Sequence, residues 1–406
     1  MQPLKITIIG NFWDSQIYQG NLFLWDRDGR IHTIKWDQFI NNLDVKDALR
    51  LAIKCAFQKG SLLYLDKDIS SDSEVKKLIL RKFEKLSKKP LDFELSDIPK
   101  EFVKTMASPI KGLHVDSEIY NKVLYTVLDD GLYSTEINKK NKNPVNRNSR
   151  KLWDCPILSI KALSKRLSLS AGNEGLFEYQ LNHDDEDYFE QFEYEDSRRI
   201  ENNLFQISDR HSLFSNFNFS SIFNSSDISD SFLAAFYWSL ENGKKTRKFE
   251  KIVEENEIFK PCNISHLSWG ANEKIYRATS SGLFYSEFSQ YNVGKPSQAK
   301  SWFSEAKKIE IEPWKGEVIN GGSALFGNIV ECENAMFVLK SDNTSFTIPG
   351  PILRWRVFPR SIFYQNHLHV IQEDRIEIFS FNHDYFVPQK EKQSGFIFNP
   401  KYMDFT

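Results

Sequence analysis

The chain has 406 residues, 40% of them apolar and 14% aromatic, with 33 phenylalanines leading the aromatic set. That size suits one large closed β-architecture with insertions, or two to three compact domains, and the aromatic weight favours half-buried pleated sheet. The 53 basic and 55 acidic residues leave a formal charge of −2, so no global field draws the molecule to nucleic acid, membrane or polycations, and electrostatic recognition must come from local patches.

The first ten residues lack a basic region followed by a long apolar run, and read as a strand rather than a signal peptide. No window approaches the roughly 20 apolar residues of a membrane helix. Cys55, Cys155, Cys262 and Cys332 lie far apart with no CxxC spacing, which fits a reducing compartment. The expectation is a soluble, cytoplasmic protein, and the abundance of Asn, Lys, Ile and Phe is that of an AT-rich bacterial genome.

In chain order, residues 4–9 alternate as an opening strand. Residues 22–29 and 30–36 then form the first copy of a recurring unit: an apolar strand, a tight polar turn and a second alternating strand. Residues 41–105 read as a helical insertion. Within it Val45, Ala48, Leu49, Ala52, Ile53, Ala56 and Phe57 recur at the spacing of one helix face, with Asp44 as N-cap and Gly60 as stop. A second helix over about residues 73–89 carries Val75, Leu78, Ile79, Phe83 and Leu86 on one face, and Pro90 ends it. Its other face holds Lys76, Lys77, Arg81, Lys82, Lys85, Lys88 and Lys89. That face is either the solvated side of a packed helix or a docking arm for an anionic or protein partner.

The second copy of the unit covers residues 123–131 and 132–137, after a strand-like run at 110–115. A basic loop follows, with Lys139, Lys140, Lys142, Arg147, Arg150 and Lys151 and no acid between 138 and 151. The third copy covers 167–175 and 176–181, after a strand-like run at 157–160. Residues 182–202 then form an acidic-aromatic loop, in which Asp184, Asp185, Glu186 and Asp187 precede Tyr188 and Phe189, followed by Glu190, Phe192, Glu193, Tyr194, Glu195 and Asp196. The two loops either stay solvated and partly neutralise one another, or the acidic one is ordered by a basic partner. Residues 212–230 lack clear periodicity and read as a long loop flanking a short strand.

The fourth copy covers 236–243 and 244–249, the fifth 275–282 and 283–288, the sixth 336–343 and 344–348, and the seventh 368–374 and 375–381. Strand-like runs at 264–269 and 352–357 precede the fifth and seventh. The run at 395–398 is placed to complete a sheet with the N-terminal strand. Five of the seven turns contain glycine, at Gly29, Gly131, Gly175, Gly243 and Gly282. Tight hairpins need positive φ, which glycine adopts freely and Asn or Asp tolerate.

A propeller blade is a four-stranded antiparallel sheet, and this unit with its upstream run supplies those strands. On these hairpins the chain resembles the seven-bladed β-propeller superfamily in a diverged WD40-like form, over nearly its whole length apart from the insertions. No Gly-His pair precedes a unit, and the Trp-Asp pairs at Trp13, Trp25, Trp36 and Trp153 fall at shifting positions. The resemblance implies an all-β fold: one seven-bladed propeller over residues 1–406, closed by its N- and C-terminal strands, with a helical insertion between the first and second blades. A β-sandwich or two β-domains with similar hairpins is the competing architecture.

No glycine-rich phosphate loop, GxSxG elbow, HExxH or zinc-spaced Cys/His set is present, so no catalytic residue, metal or cofactor is expected. His367 and His369 alternate on one strand and face the same way, a structural pair rather than a metal pair. Cys55, on an apolar helix face, reads as a small core residue. The function expected is a non-catalytic protein–protein interaction scaffold or subunit of an intracellular assembly, with one or more protein partners and no membrane. Its partner residues would be Asp184, Asp185, Glu186, Asp187, Tyr188, Phe189, Lys139, Lys140, Lys142, Lys76, Lys77 and Arg81. Two alternatives stand beside it: a nucleic-acid-associated subunit using the basic insertions, and a hydrolase or lyase with paired carboxylates at a central mouth.

Overall fold

The computed structural model describes residues 2–58, 72–138, 143–163, 166–171, 176–181, 188–191, 204–211, 216–223, 229–241, 244–271, 274–287, 303–311, 314–340, 344–359, 361 and 363–381. Between residues 188 and 253 the description is of backbone pairing alone.

Polar turns separate short alternating strands, and among the described residues these strands form seven sheets. Strand β1 (Leu4–Ile9) opens the chain and joins the last sheet. The first sheet runs β2 (Phe12–Tyr18), β3 (Asn21–Asp26), β4 (Arg30–Ile34) and β6 (Val103–Ala107), with β5 (Asp92–Glu94) lying apart on β1. The second runs β7 (Asp116–Tyr120), β8 (Val123–Leu128), β9 (Gly131–Glu136) and β10 (Arg150–Trp153), and the third β11 (Ser159–Leu163), β12 (Arg166–Ser170), β13 (Leu176–Gln180) and β14 (Tyr188–Gln191). The fourth runs β15 (Leu204–His211), β16 (Asn216–Phe223), β17 (Ser229–Glu241) and β18 (Lys244–Glu254). The fifth runs β19 (His266–Ala271), β20 (Lys274–Thr279), β21 (Gly282–Glu287) and β22 (Lys307–Lys308). The sixth runs β23 (Val318–Ala324), β24 (Gly327–Cys332), β25 (Ala335–Lys340) and β26 (Ser345–Pro349). The seventh runs β27 (Arg354–Val357), β28 (His367–Ile371), β29 (Arg375–Ser380), then β1 and β5.

Neighbouring strands pair antiparallel except β1 with β5. The N-terminal strand therefore completes the last sheet, Leu4 opposite Ser380 through Ile9 opposite Arg375. The expected C-terminal contributor at 395–398 lies outside the described residues.

Among the described residues, four core clusters each join two sheets that follow one another. Phe23, Trp25 and Ile31 of the first meet Leu124 of the second. Val127 and Leu132 of the second meet Ile160, Leu167 and Leu169 of the third. Leu267, Trp269 and Tyr276 of the fifth meet Val330 of the sixth, and Ile329 and Val338 of the sixth meet Leu368, Val370 and Phe379 of the seventh. Burying such side chains contributes about 1.5–3 kcal/mol each, so face-to-face contact between successive sheets holds the molecule together. Their first strands also lie side by side: β27 beside β2, β2 beside β7, β7 beside β11, β11 beside β15, β15 beside β19 and β19 beside β23.

Gly321 and Gly322 on β23 show how close that packing is. A Cβ on Gly321 would meet the Trp269 ring at 2.5 Å, and one on Gly322 would meet the Trp355 ring at 2.7 Å. Only hydrogen fits between the tryptophans of the flanking sheets. Gly321→Ala is therefore expected to cost about 1–3 kcal/mol by overpacking, read as a fall in the urea midpoint with unchanged slope. A midpoint equal to wild type would show that the Trp269 ring moves aside freely.

Three of the described α-helices lie between β4 and β6. Helix α1 (Trp36–Asn42) precedes α2 (Asp47–Phe57) and α3 (Ser73–Ser87). Trp36, Phe39, Leu49, Ile53, Ile79 and Phe83 share one core with Leu4, Ile6 and Ile378 of the seventh sheet and Leu22 of the first. The last carbonyls of α2, which have no partner within the helix, are satisfied by the seventh sheet and by α1. His367 Nε2 donates to Ala56 O at 2.9 Å, Ser380 Oγ to the same oxygen at 2.9 Å, and Trp36 Nε1 to Phe57 O at 2.6 Å.

Several expectations are corrected here. The seven hairpins fall in seven different sheets, but the fourth and sixth join third to fourth strands (β17–β18, β25–β26) where the others join second to third. Glycine turns mark any tight reversal, so they do not fix the phase of a repeat. Trp36 starts α1 instead of ending a strand, because Trp36, Phe39 and Ile40 are buried at helical spacing. The N-cap of α2 is Lys46 without a side-chain bond, not Asp44, whereas α3 is capped by Asp72, which accepts from the Glu74 and Val75 amides. Residues 110–115 are not a strand, and β7 begins at Asp116. Within 212–230, expected as loop, β16 and the start of β17 are paired strands; the adjacent Ser220 and Ser221 break the alternation that Phe217 and Phe219 begin. Gly60 lies outside the described residues.

Cys55, Cys155 and Cys332 are buried thiols and Cys262 is partly exposed. No helix among the described residues is long and apolar enough to cross a membrane.

Candidate functional site

The first strands of the seventh, first, second and third sheets meet in a buried charged cluster. Asp14 on β2 is fully buried. Arg356 on β27 grips it through Nε to Oδ1 and Nη2 to Oδ2, both at 2.8 Å, while Arg356 Nη1 reaches Asp116 Oδ1 on β7 at 2.5 Å. One guanidinium thus bridges two carboxylates from two other sheets. Asp14 also accepts from His114 Nε2 and Ser117 Oγ, each at 2.6 Å. Asp116 Oδ2 accepts from the Ile160 amide at 2.9 Å and Ser159 Oγ at 3.2 Å, which extends the network to β11.

The electrostatics follow from this geometry. Burial alone would raise the Asp14 carboxyl, but Arg356 and Arg354, with the His114 bond, outweigh it and hold it well below the usual carboxylate range. Asp116 is lowered by the same balance, burial opposing Arg356 and Lys161. Burial depresses His114 despite its bond to Asp14, so it acts as a neutral donor from Nε2. Arg354 Nη1 lies 3.5 Å from Asp14 and its guanidinium sits 4.9 Å over the Trp13 ring. Both buried carboxylates are saturated by donors, an arrangement that locks strands rather than one that presents a base to a substrate.

A second buried knot ties the short helix that follows the fourth sheet to the fifth sheet. Glu255, in the short helix α4 (Glu255–Ile258), accepts from Ser268 Oγ and Arg277 Nε, with His266 Nε2 at 3.3 Å. Arg277 Nη1 donates to Lys260 O at 2.6 Å and its guanidinium lies 4.5 Å over Phe259. Glu331 on β24 is different: burial pushes its carboxyl up to about 7, although Trp355 Nε1 donates to it at 2.7 Å.

His367 and His369 are fully buried on β28 with ring centres 6.0 Å apart. His369 Nδ1 shares a 3.0 Å bond with Ser15 Oγ, while His367 Nδ1 and His369 Nε2 have no hydrogen-bond partner. Burial pushes His367 down to about 4, and burial together with the adjacent His367 takes His369 well below its usual range. Among the described residues no three His, Cys, Asp or Glu side chains converge on a possible metal position.

Of the expected partner residues, Lys77 and Arg81 are exposed on α3 and Lys76 is half-buried. Lys77 pairs with Glu74 at 3.0 Å and Lys88 with Glu84 at 3.2 Å. Lys82 turns inward and donates to Ala48 O at 2.7 Å. Lys139, Lys140, Lys142, Asp184, Asp185, Glu186 and Asp187 lie outside the described residues. Tyr188 and Phe189 belong to β14, whose backbone pairs with β13 as the edge of the third sheet, inside a segment expected to be loop.

Sequence reading missed the buried cluster. A signal was present: the Asp-Ser step at Asp14-Ser15 recurs at Asp116-Ser117, and in both the serine amide donates to the preceding carboxylate, at 2.8 and 2.9 Å.

No family model matches the chain, and no curated protein matches it. Among solved structures it is similar to the β-propeller domain of Myceliophteria thermophila Cps50 (Swd1), at 6% identity over 91% of this chain and 97% of that one, TM-score 0.48. The WD40 β-propeller domain of Doa1 is matched at 9% identity over 69% of this chain and 95% of that one, TM-score 0.33. The gluconolactonase XC5397 of Xanthomonas campestris is matched at 9% identity over 64% and 81%, TM-score 0.36. These likenesses concern strand arrangement alone. Among the described residues the chain is built from seven small sheets of four or five strands.

Proposed function

We propose that the seven sheets are blades of a single closed ring spanning residues 1–406, with the helical insertion at 41–105 seated beside the closing blade, and that this ring is a non-catalytic scaffold for protein partners. The observation that carries the reading is Arg356, whose single side chain ties the last blade to the first and second through Asp14 and Asp116. With β1 paired to β29, the seventh sheet is tied to the start of the chain by backbone pairing and to the first and second sheets by buried charge. A rigid disc of this kind presents loops and insertions whose chemistry sets specificity. The basic face of α3 around Lys77 and Arg81, the run at 138–151 and the acidic-aromatic segment at 184–196 are its partner surfaces.

The test is affinity capture with the full chain at two salt concentrations, with and without nuclease. The expected result is protein partners that survive nuclease and are lost when Lys77→Glu and Arg81→Glu are introduced together. Nuclease-sensitive capture that falls steeply with salt would instead identify a nucleic-acid-associated subunit.

A further inference from the structure

Among the described residues the seventh sheet has five strands where the others have four, and the insertion supplies the fifth. β1 lies between β29 and β5, with Thr7 opposite Asp92 and Ile9 opposite Glu94. The Thr7 amide donates to Leu91 O, just before β5, at 2.9 Å. Without this pairing β1 would be the outer edge of its sheet, with a row of backbone donors and acceptors left open. The strand that joins the chain's start to its last sheet is thus clasped from both sides.

Side chains repeat the clasp. The four clusters that join other pairs of sheets contain no helical residue. The cluster that joins the seventh sheet to the first holds Phe39 of α1, Ile53 of α2, and Ile79 and Phe83 of α3, together with Ile6 of β1, Ile376 of β29 and Leu24 of β3. α3 lies directly against β1. His367 Nε2 and Ser380 Oγ, from β28 and β29, both donate to Ala56 O at the end of α2.

We propose that the insertion is a latch on the ring: the helices, β5 and β1 form one cooperative unit, and the ring opens between the seventh and first sheets only when that unit undocks. The two sides of α3 make this a point of control. Ile79, Phe83 and Leu86 are buried against the seam, while Lys77 and Arg81 stand exposed on the surface assigned above to partners. A protein that binds only docked α3 stabilises the docked state, and through it the closed ring. The coupling is reciprocal, so loosening the seam weakens binding at α3 by the same factor. The inference rests on the scaffold reading and names how its α3 surface is regulated.

Hydrogen exchange of the full chain at pH 7, read by mass spectrometry, tests the latch with variants on both sides of the seam. Phe83→Leu loosens the insertion and Ile376→Val loosens the seventh sheet, each by removing a few buried atoms. Phe83→Leu is expected to speed exchange about tenfold in α2, β5 and β1 while β8 and β24 keep wild-type rates. Ile376→Val is expected to speed exchange in α3, across the seam from the substitution. Ile160→Val, in the core between the second and third sheets, should leave α3 and β1 unchanged. If Phe83→Leu does not fold, the contrast between Ile376→Val and Ile160→Val decides alone. The latch is overturned if α3 is freed while β1 exchanges as in wild type. It is equally overturned if every sheet speeds by one factor, the mark of a molecule that opens only as a whole. The scaffold reading is judged separately, by whether captured proteins are lost on Lys77→Glu/Arg81→Glu.

Discussion

Asp14→Ala is expected to cost about 3–5 kcal/mol of folding stability, because it strips a buried guanidinium of its bidentate partner. Arg356 would keep Asp116 alone, Arg354 would lose its nearest carboxylate, and His114 and Ser117 would each donate to nothing. Arg356→Met should be comparably severe, since it leaves two buried carboxylates facing each other across adjacent blades. The double variant Asp14→Leu/Arg356→Met removes charge from both sides and should recover part of the loss, with a coupling energy of about 0.5–3 kcal/mol in a double-mutant cycle. Urea unfolding of the four proteins at pH 7 provides the cycle. A loss below about 1 kcal/mol for Asp14→Ala would mean that water replaces the pair and that the strands do not depend on it.

The second large effect is a pH dependence carried by His367 and His369. In the fold His367 is held down near 4, against 6.5 for an ordinary histidine, so its neutral form is the one the core accepts. As pH falls below 6.5 the unfolded chain takes up a proton that the folded chain refuses, and stability is lost until pH passes the folded value. For His367 alone the loss is about 2 kcal/mol by pH 5 and about 3 once pH is below 4. His369 and His114, both lowered, add in the same direction. Glu331, raised to about 7, and His266, also raised, run the opposite way and stabilise the fold as pH falls. Asp14 and Asp116 lose their contribution only below 3.8.

The wild-type curve therefore mixes signs, and the informative quantity is the difference from His367→Gln, whose amide can still donate to Ala56 O. Wild type should lose about 2 kcal/mol relative to that variant between pH 7 and pH 5. A difference independent of pH would show that water reaches the imidazole. Phe57, Tyr364 and the neighbouring His369 ring pack around it, which is why none is expected to.

The contrast between what was legible in the chain and what was not has a physical basis. Strand–turn–strand units are written locally: Gly29, Gly131 and Gly282 take positive φ at hairpin turns, and the alternating residues around them form the pairs read from sequence. Phase was harder to read, because the Asp342-Asn343 sequence after β25 resembles the Asp28-Gly29 sequence after β3 while joining different strands. Helices α2 and α3 were visible from their apolar spacing, and α1 shows the same spacing at Trp36, Phe39 and Ile40 but was hidden behind the strand preceding it.

The charged cluster was not legible because its members are remote. Arg356 meets Asp14 across 342 residues and Asp116 across 240, and only the placement of the seventh sheet beside the first makes them neighbours.

The most direct measurement of the central claim is an experimental density map of the full chain. A closed ring predicts seven radial sheets about one axis, β1 paired to β29, and the Arg356 guanidinium lodged between Asp14 and Asp116. Sheets stacked in layers, or an Arg356 side chain remote from both carboxylates, would contradict it.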